Sequence, residues 1–167
     1  MHFLTTVVTA LAAGRFTWAM PTPESNPKTP TARATFCEKM VPPPSDEETA
    51  ARFAKFADAF IVRKDIDAAF SYIAPEYINH NPAAQNGAQF AYDLLKPLWA
   101  SQQITVLGTL YRHPQGWLNY RSSIGTIVDR YRWEGGCIVE HWDAGEQMPT
   151  DVAPGEIAGS GQRVKSA

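Results

Sequence analysis

The chain has 167 residues, a formal net charge of −2 and 44% hydrophobic residues. That length sets one domain with extensions. The small, interspersed charge excludes the basic footprint of a nucleic-acid binder and offers no field for a strongly charged partner.

Residues 1–19 begin with a short apolar stretch, Phe3 to Ala13, broken by threonines and followed by the small residue Ala19. It is too short to span a bilayer and reads as a secretory signal, with a disordered tail as the alternative. No later stretch is long and apolar enough for a membrane helix, so no membrane partner is expected. Residues 20–44 are a linker carrying Pro21, Pro23, Pro27, Pro30, Pro42, Pro43 and Pro44. Such a segment favours extended, hydrated backbone. Cys37 and Cys137 are the two cysteines. Export would permit a bridge between the linker and the C-terminal half, but spacing alone leaves the pairing open. Neither has a second ligand at metal-binding spacing, so no metal is expected.

The domain spans residues 45–149. Ser45-Asp46-Glu47-Glu48 is a capping box. Phe53, Phe56, Ala57, Phe60 and Ile61 follow at helical spacing and form one apolar stripe. Ile66, Ala69, Phe70 and Ile73 predict a second helix, ended by Pro75. Tyr77 to Pro82 reads as a strand running into a turn, with Tyr77 and Asn79 on one side and Ile78 and His80 on the other. A third helix opens at Asn86 or Gly87 and ends or kinks near Lys96, because Pro97 removes a backbone donor. Ile104 to Tyr111 and Trp117 to Ser123 are strands joined by a turn at His113-Pro114-Gln115-Gly116, where His113 is expected to be exposed. Residues 150–167 are polar and rich in Gly, Ser and Ala, and read as a disordered tail.

The most informative stretch is Thr126 to Pro149. Two β-rich runs flank Gly135-Gly136, which can supply the positive φ of a hairpin turn. A three-residue loop puts Asp129 opposite His141 and Arg130 opposite Glu140. A two-residue turn puts Arg130 opposite His141. The first pairs opposite charges and is preferred. Asp129, Tyr131, Val139, His141 and Asp143 then share one face, and Arg130, Arg132, Glu140 and Trp142 the other. Two carboxylates and an imidazole on one face are costly to bury unless they bond each other. The arrangement is therefore either a site for chemistry, a structural His–Asp pair or a polar strand end.

The run from Val128 to Asp143 resembles the closing hairpin of the SnoaL-like family, a branch of the nuclear-transport-factor-2-like (NTF2-like) superfamily. Val128, Asp129, Tyr131, Arg132, Gly136, Ile138, Glu140, His141, Trp142 and Asp143 fit its pattern, and Tyr77, His80, Asn81, Pro82 and Gly87 fit a second element. The resemblance implies an α+β fold in which helices cover one face of a curved antiparallel sheet and enclose a cone-shaped cavity. It implies a small apolar ligand, no cofactor and a homodimer through the open sheet face. Asp143 would be the acid/base, with His141 and Asp129 orienting it or sharing its proton. Tyr77, His80, Asn81, Trp99 and Tyr131 would line the cavity. A carboxylate in an apolar cavity can exchange a proton near neutral pH, which fits a cyclase or isomerase. A non-catalytic binding protein and a water-activating hydrolase with an Asp-Arg-Asp relay are the alternatives. The hydrolase would need an inward arginine, whereas the preferred register turns Arg130 and Arg132 away.

Overall fold

A computed structural model describes residues 34–152 and residue 158; the expected signal segment and the first part of the linker lie outside the described residues. The helix α1 spans Asp46–Ala57. Ser45 Oγ accepts the Glu48 N–H at 3.2 Å, and Glu48 Oε2 accepts the Ser45 N–H at 2.8 Å, so the capping box is closed on both sides. The apolar stripe continues through a π-helical turn, Asp58–Val62, which buries Phe60 and Ile61. The helix α2 is Ile66–Phe70, with Asp65 Oδ1 accepting the Ala68 N–H at its start.

The strand β1 spans Ile73–Asn79 and corrects the second-helix prediction: Ile73 and Pro75 are extended. Pro75 is tolerated because β1 is an edge strand whose ladder is irregular between Ile73 and Ile78. The helix α3, Ala88–Leu95, starts after Gly87 and stops at Lys96, the residue before Pro97. The strands β2 (Thr105–Arg112), β3 (Gln115–Ser122), β4 (Gly125–Glu134) and β5 (Cys137–Trp142) follow.

The sheet order is β1-β5-β4-β3-β2. The strands β2 to β5 pair antiparallel, but β1 pairs parallel with β5, so the sheet is mixed. A parallel neighbour needs a crossover connection, which α3 and the strands after it supply. Helices pack on one face. Phe56 lies at the contact, with its ring 4.9 Å from Tyr131, 5.5 Å from Phe60 and 6.1 Å from Trp133. Gly116 lets α1 approach β3 closely: a Cβ there would stand 2.6 Å from the Phe53 ring.

The β4–β5 turn has Gly135 and Gly136 at φ 57° and 77°, and Glu134 lies opposite Cys137. A bulge then shifts the ladder, giving Arg132 opposite Glu140, Tyr131 opposite His141 and Arg130 opposite Trp142. The two-residue turn is thus formed in place of the preferred three-residue loop, but beyond the bulge Arg130 faces neither of its expected partners, Glu140 or His141. The extra residue is Val139, which joins Cys37, Ala74 and Cys137 in a separate apolar cluster rather than the face expected for it. The bulge restores parity, so the inward set of Asp129, Tyr131 and His141 and the outward set of Arg130, Arg132, Glu140 and Trp142 stand as predicted.

Both extensions touch the domain. Cys37 and Cys137 are disulfide-bonded, Phe36 packs its ring 6.4 Å from those of Phe70 and Tyr92, and the Met40 N–H donates to Gly135 O. This part of the expected linker is thus packed. In the expected disordered tail, Ala158 exchanges two backbone hydrogen bonds with Thr109 on the free edge of β2, at 2.8 and 2.9 Å. His113 is exposed, as expected, and pairs with Asp46 at 3.1 Å.

Candidate active site

Between the helices and the inner face of the sheet lies a cavity of about 300 Å³. Its walls are mostly apolar and aromatic, with contributions from Phe56, Phe60, Phe70, Phe90, Trp99 and Tyr120. Trp99 is fixed from two sides: it stacks on Phe60 at 4.4 Å and its Nε1–H donates to Phe60 O at 2.6 Å. Of the residues predicted for the site, Asp129, His141, Asp143, Tyr77, Asn81, Trp99 and Tyr131 line this cavity.

His80 does not. It lies on the outer side, where Nε2 is 2.8 Å from Glu140 Oε2 and the ring stacks on Trp142 at 4.3 Å. The Arg130 guanidinium covers the other face of the same tryptophan, 3.9 Å from its centroid. Strand parity explains the placement: His80 follows Ile78, and both turn away from the inward Tyr77 and Asn79. Arg130 and Arg132 are bonded outside to Glu146 and Glu140. Among the described residues no arginine lines the cavity, and the two arginines of the hairpin lie outside it.

The polar groups inside form one network. Asp129 is 4% exposed and accepts from three donors: Tyr120 Oη at 2.9 Å and Tyr131 Oη at 3.2 Å on Oδ2, and His141 Nε2 at 3.1 Å on Oδ1. A carboxylate with three donors is a satisfied buried anion. It also fixes the histidine tautomer, because Nε2 must carry the proton it donates. The other nitrogen, Nδ1, stands 3.3 Å from both Tyr77 Oη and Asn79 Oδ1. Asn79 Oδ1 already accepts the Asn81 N–H at 3.0 Å, which sets the amide orientation. When Nδ1 is bare, it accepts from Tyr77. When it is protonated, it donates to Asn79. The ring is partnered in both states, so a proton can arrive and leave without reorganising the wall.

Burial, reinforced by the negative Asp129, pushes the Tyr77, Tyr120 and Tyr131 phenols above their ordinary range. All three remain donors across the physiological range. Asp143 differs from Asp129. Its Oδ2 accepts from Asn81 Nδ2 at 2.8 Å, while its Oδ1 is buried without a hydrogen-bond partner. Among the described residues no donor reaches that oxygen.

Asp129, His141 and Asp143 each offer a ligand atom, and these atoms lie within 4.8 Å of one another. Residue types and spacing could hold a cation, an arrangement not expected from the sequence. Both Asp129 oxygens are engaged by protein donors, however, so that carboxylate acts as the partner of His141 rather than as a free ligand. Tyr120 and Asn79 were not singled out from the sequence. Alternation would have found both: Tyr120 falls on the inward side of β3 with Leu118, and Asn79 on the inward side of β1 with Tyr77.

The fold and site together define an α+β protein with an aromatic cavity and an acid–imidazole wall. In motif and architecture the chain resembles the SnoaL-like branch of the NTF2-like superfamily. No family model and no curated protein matches it. Similar solved structures include TsrD from Streptomyces laurentii, at 18% identity and a TM-score of 0.47, covering 60% of this chain and 90% of that one. A SnoaL-like protein of unknown function from Burkholderia thailandensis is similar at 14% identity and a TM-score of 0.45, covering 60% and 96%. An NTF2-like protein of unknown function from Cytophaga hutchinsonii is similar at 13% identity and a TM-score of 0.43, covering 57% and 88%. Likenesses at these levels bear on no activity.

Proposed function

We propose that the protein binds a small, uncharged, apolar carbonyl compound in the cavity and moves a proton on the carbon next to the carbonyl. The observation that carries this reading is Asp143: a buried Oδ1 with no partner, on the wall of an apolar cavity, beside a histidine that is partnered in both protonation states. Asp143 takes the C–H proton, and the electron pair moves onto the carbonyl oxygen to give an enolate. When His141 Nδ1 is protonated and donates to Asn79, the Tyr77 O–H on the same wall is the donor available to that oxygen. Return of the proton at another carbon is isomerisation. Attack of the enolate carbon on a second carbonyl in the same molecule is ring closure. Asp129, held by three donors, orients His141 and offsets the charge of its protonated form.

The cavity wall also limits the ligand. Among the described residues it carries two carboxylates and no lysine or arginine, so a carboxylate or phosphate group on the ligand would be repelled. The Cys37–Cys137 disulfide supports export, since such bonds persist in oxidising compartments. Export in turn favours a second reading, a secreted carrier that holds the same ligand unchanged.

One experiment separates the two. 2-Tetralone, an apolar ketone with acidic α-protons, is incubated with the protein in D2O and followed by NMR, while calorimetry measures binding. Catalysed exchange that falls about 10²–10⁴-fold in Asp143→Asn, with binding retained, is the expected result. Exchange that is equal in the variant would remove Asp143 from the mechanism. Binding without exchange in either protein would leave the carrier.

A further inference from the structure

A second cleft, of about 660 Å³, lies on the outer side of the sheet. Its floor is formed by Asn119 of β3 and Thr126 and Val128 of β4, and its rim by residues 143–148. The rim is held down by the Arg130–Glu146 ion pair at 2.9 Å, with 24% and 19% of those side chains exposed. Asn81, Ile124, Ile127 and Asp143 border both the cleft and the inner cavity. The residue proposed to move the proton is one of these four.

Two features of this cleft are unexplained by the chemistry inside. Asn119 Oδ1 is buried and, among the described residues, has no hydrogen-bond partner. Buried acceptors are normally bonded, and an exception needs a reason. Ile124, at the junction, is 84% exposed. A large aliphatic side chain at the shared mouth offers apolar contact to a molecule passing from one space to the other. Two carboxylates line the cleft: Glu146 is paired with Arg130, and Asp143 accepts from Asn81.

We propose that the outer cleft is a second subsite of the same ligand. It takes a neutral, hydroxyl-bearing end, whose O–H donates to Asn119 Oδ1 while the carbonyl end occupies the inner cavity. The ligand is thus an elongated hydroxy-ketone, bent over the junction at Ile124 and Asp143. This inference rests on the carbonyl-compound reading above.

The test uses three probes: 2-tetralone, 2-tetralone carrying a terminal hydroxyalkyl chain, and the methyl ether of that chain. Calorimetry is run on the full chain and on Asn119→Leu and Asn119→Asp. In the unaltered protein the hydroxyl probe binds about tenfold tighter than its ether, as one neutral hydrogen bond would give. Asn119→Leu abolishes that preference and leaves bare 2-tetralone unaffected. Asn119→Asp, which keeps an acceptor, retains the preference and guards against a leucine variant that does not fold. Equal binding of hydroxyl and ether probes in the unaltered protein overturns the subsite, as does a preference that survives Asn119→Leu. Bare 2-tetralone still binding in those cases leaves the inner-cavity reading standing; no binding of any probe overturns both.

Discussion

His141 and Asp129, on the inner face of the β4–β5 hairpin, bond at 3.1 Å with 11% and 5% of their side chains exposed. His80 and Glu140, on the outer face, bond at 2.8 Å with 37% and 19% exposed. Both are histidine–carboxylate pairs, and both histidines lie against aromatic rings: Tyr131 for His141 and Trp142 for His80. The shorter pair is the weaker candidate for chemistry. Water and Arg132 share in satisfying the outer pair, so its loss leaves little uncompensated. The inner pair stands in an apolar wall, where each member depends on the other and on three tyrosines. Residue type and distance do not separate the two faces; dielectric and the number of partners do.

The comparison can be broken first by removing one carboxylate from each face. Asp129→Leu strands the Tyr120 and Tyr131 hydroxyls and His141 Nε2–H without their acceptor. Chemical denaturation should show a loss of about 3–5 kcal/mol. Glu140→Gln should cost about 1 kcal/mol or less. Losses of similar size would mean that the inner network is no more interdependent than the surface pair.

Removing the disulfide separates stability from the site. Cys37 and Cys137 cluster with Ala74 and Val139, apart from the main core. Replacing both by serine should lower stability by about 2–4 kcal/mol. Ligand affinity of the folded protein, read by calorimetry at low temperature, should be unchanged. A large affinity loss would show that the arm at Cys37 supports the cavity.

The two faces should also fail at opposite ends of the pH scale. The inner phenols are raised from an ordinary value of 10.0 by burial and by Asp129. The folded state keeps those protons after the unfolded chain has lost them. Their contribution is therefore complete below pH 10 and is lost as pH rises above it. On the outer face, the hydrogen bond from His80 holds Glu140 below its ordinary value of 4.5, with Arg132 adding to the effect. That contribution is present above pH 4.5 and is lost as pH falls through the lowered value. Stability measured against pH should lose part of its alkaline limb in Tyr120→Phe and a smaller part of its acid limb in Glu140→Gln. A Tyr120→Phe curve parallel to that of the parent would contradict the inner assignment.

The smallest effect concerns the outer stack. Arg130→Ala removes the guanidinium from Trp142 and should cost about 0.5–1 kcal/mol by denaturation.

The contrast between faces was partly legible in the sequence. Alternation sorted Asp129, Tyr131 and His141 from Arg130, Arg132, Glu140 and Trp142, and the capping box and phenylalanine stripe located α1. What could not be read was the bulge at Val139, because an inserted residue leaves no compositional mark; it moved Val139 itself off the expected face while keeping Glu140, His141 and Trp142 on theirs. Pro75 pointed to a helix end, but an edge strand tolerates proline equally well. His80 shows the opposite case: period-two parity from Tyr77 put it outside, and the family motif drew it in. Tyr120 and Asn79 were accessible to the same parity rule. The disulfide needed coordinates, since no spacing of two cysteines fixes their approach.

The central claim is that Asp143 Oδ1 and His141 face a space that a small apolar ketone can enter. A crystal structure with 2-tetralone bound tests it most directly. The account predicts the ketone between Phe60, Trp99 and Tyr131, with its α-carbon near Asp143 Oδ1. A cavity filled by its own side chains, or a ketone bound only elsewhere on the molecule, would contradict it.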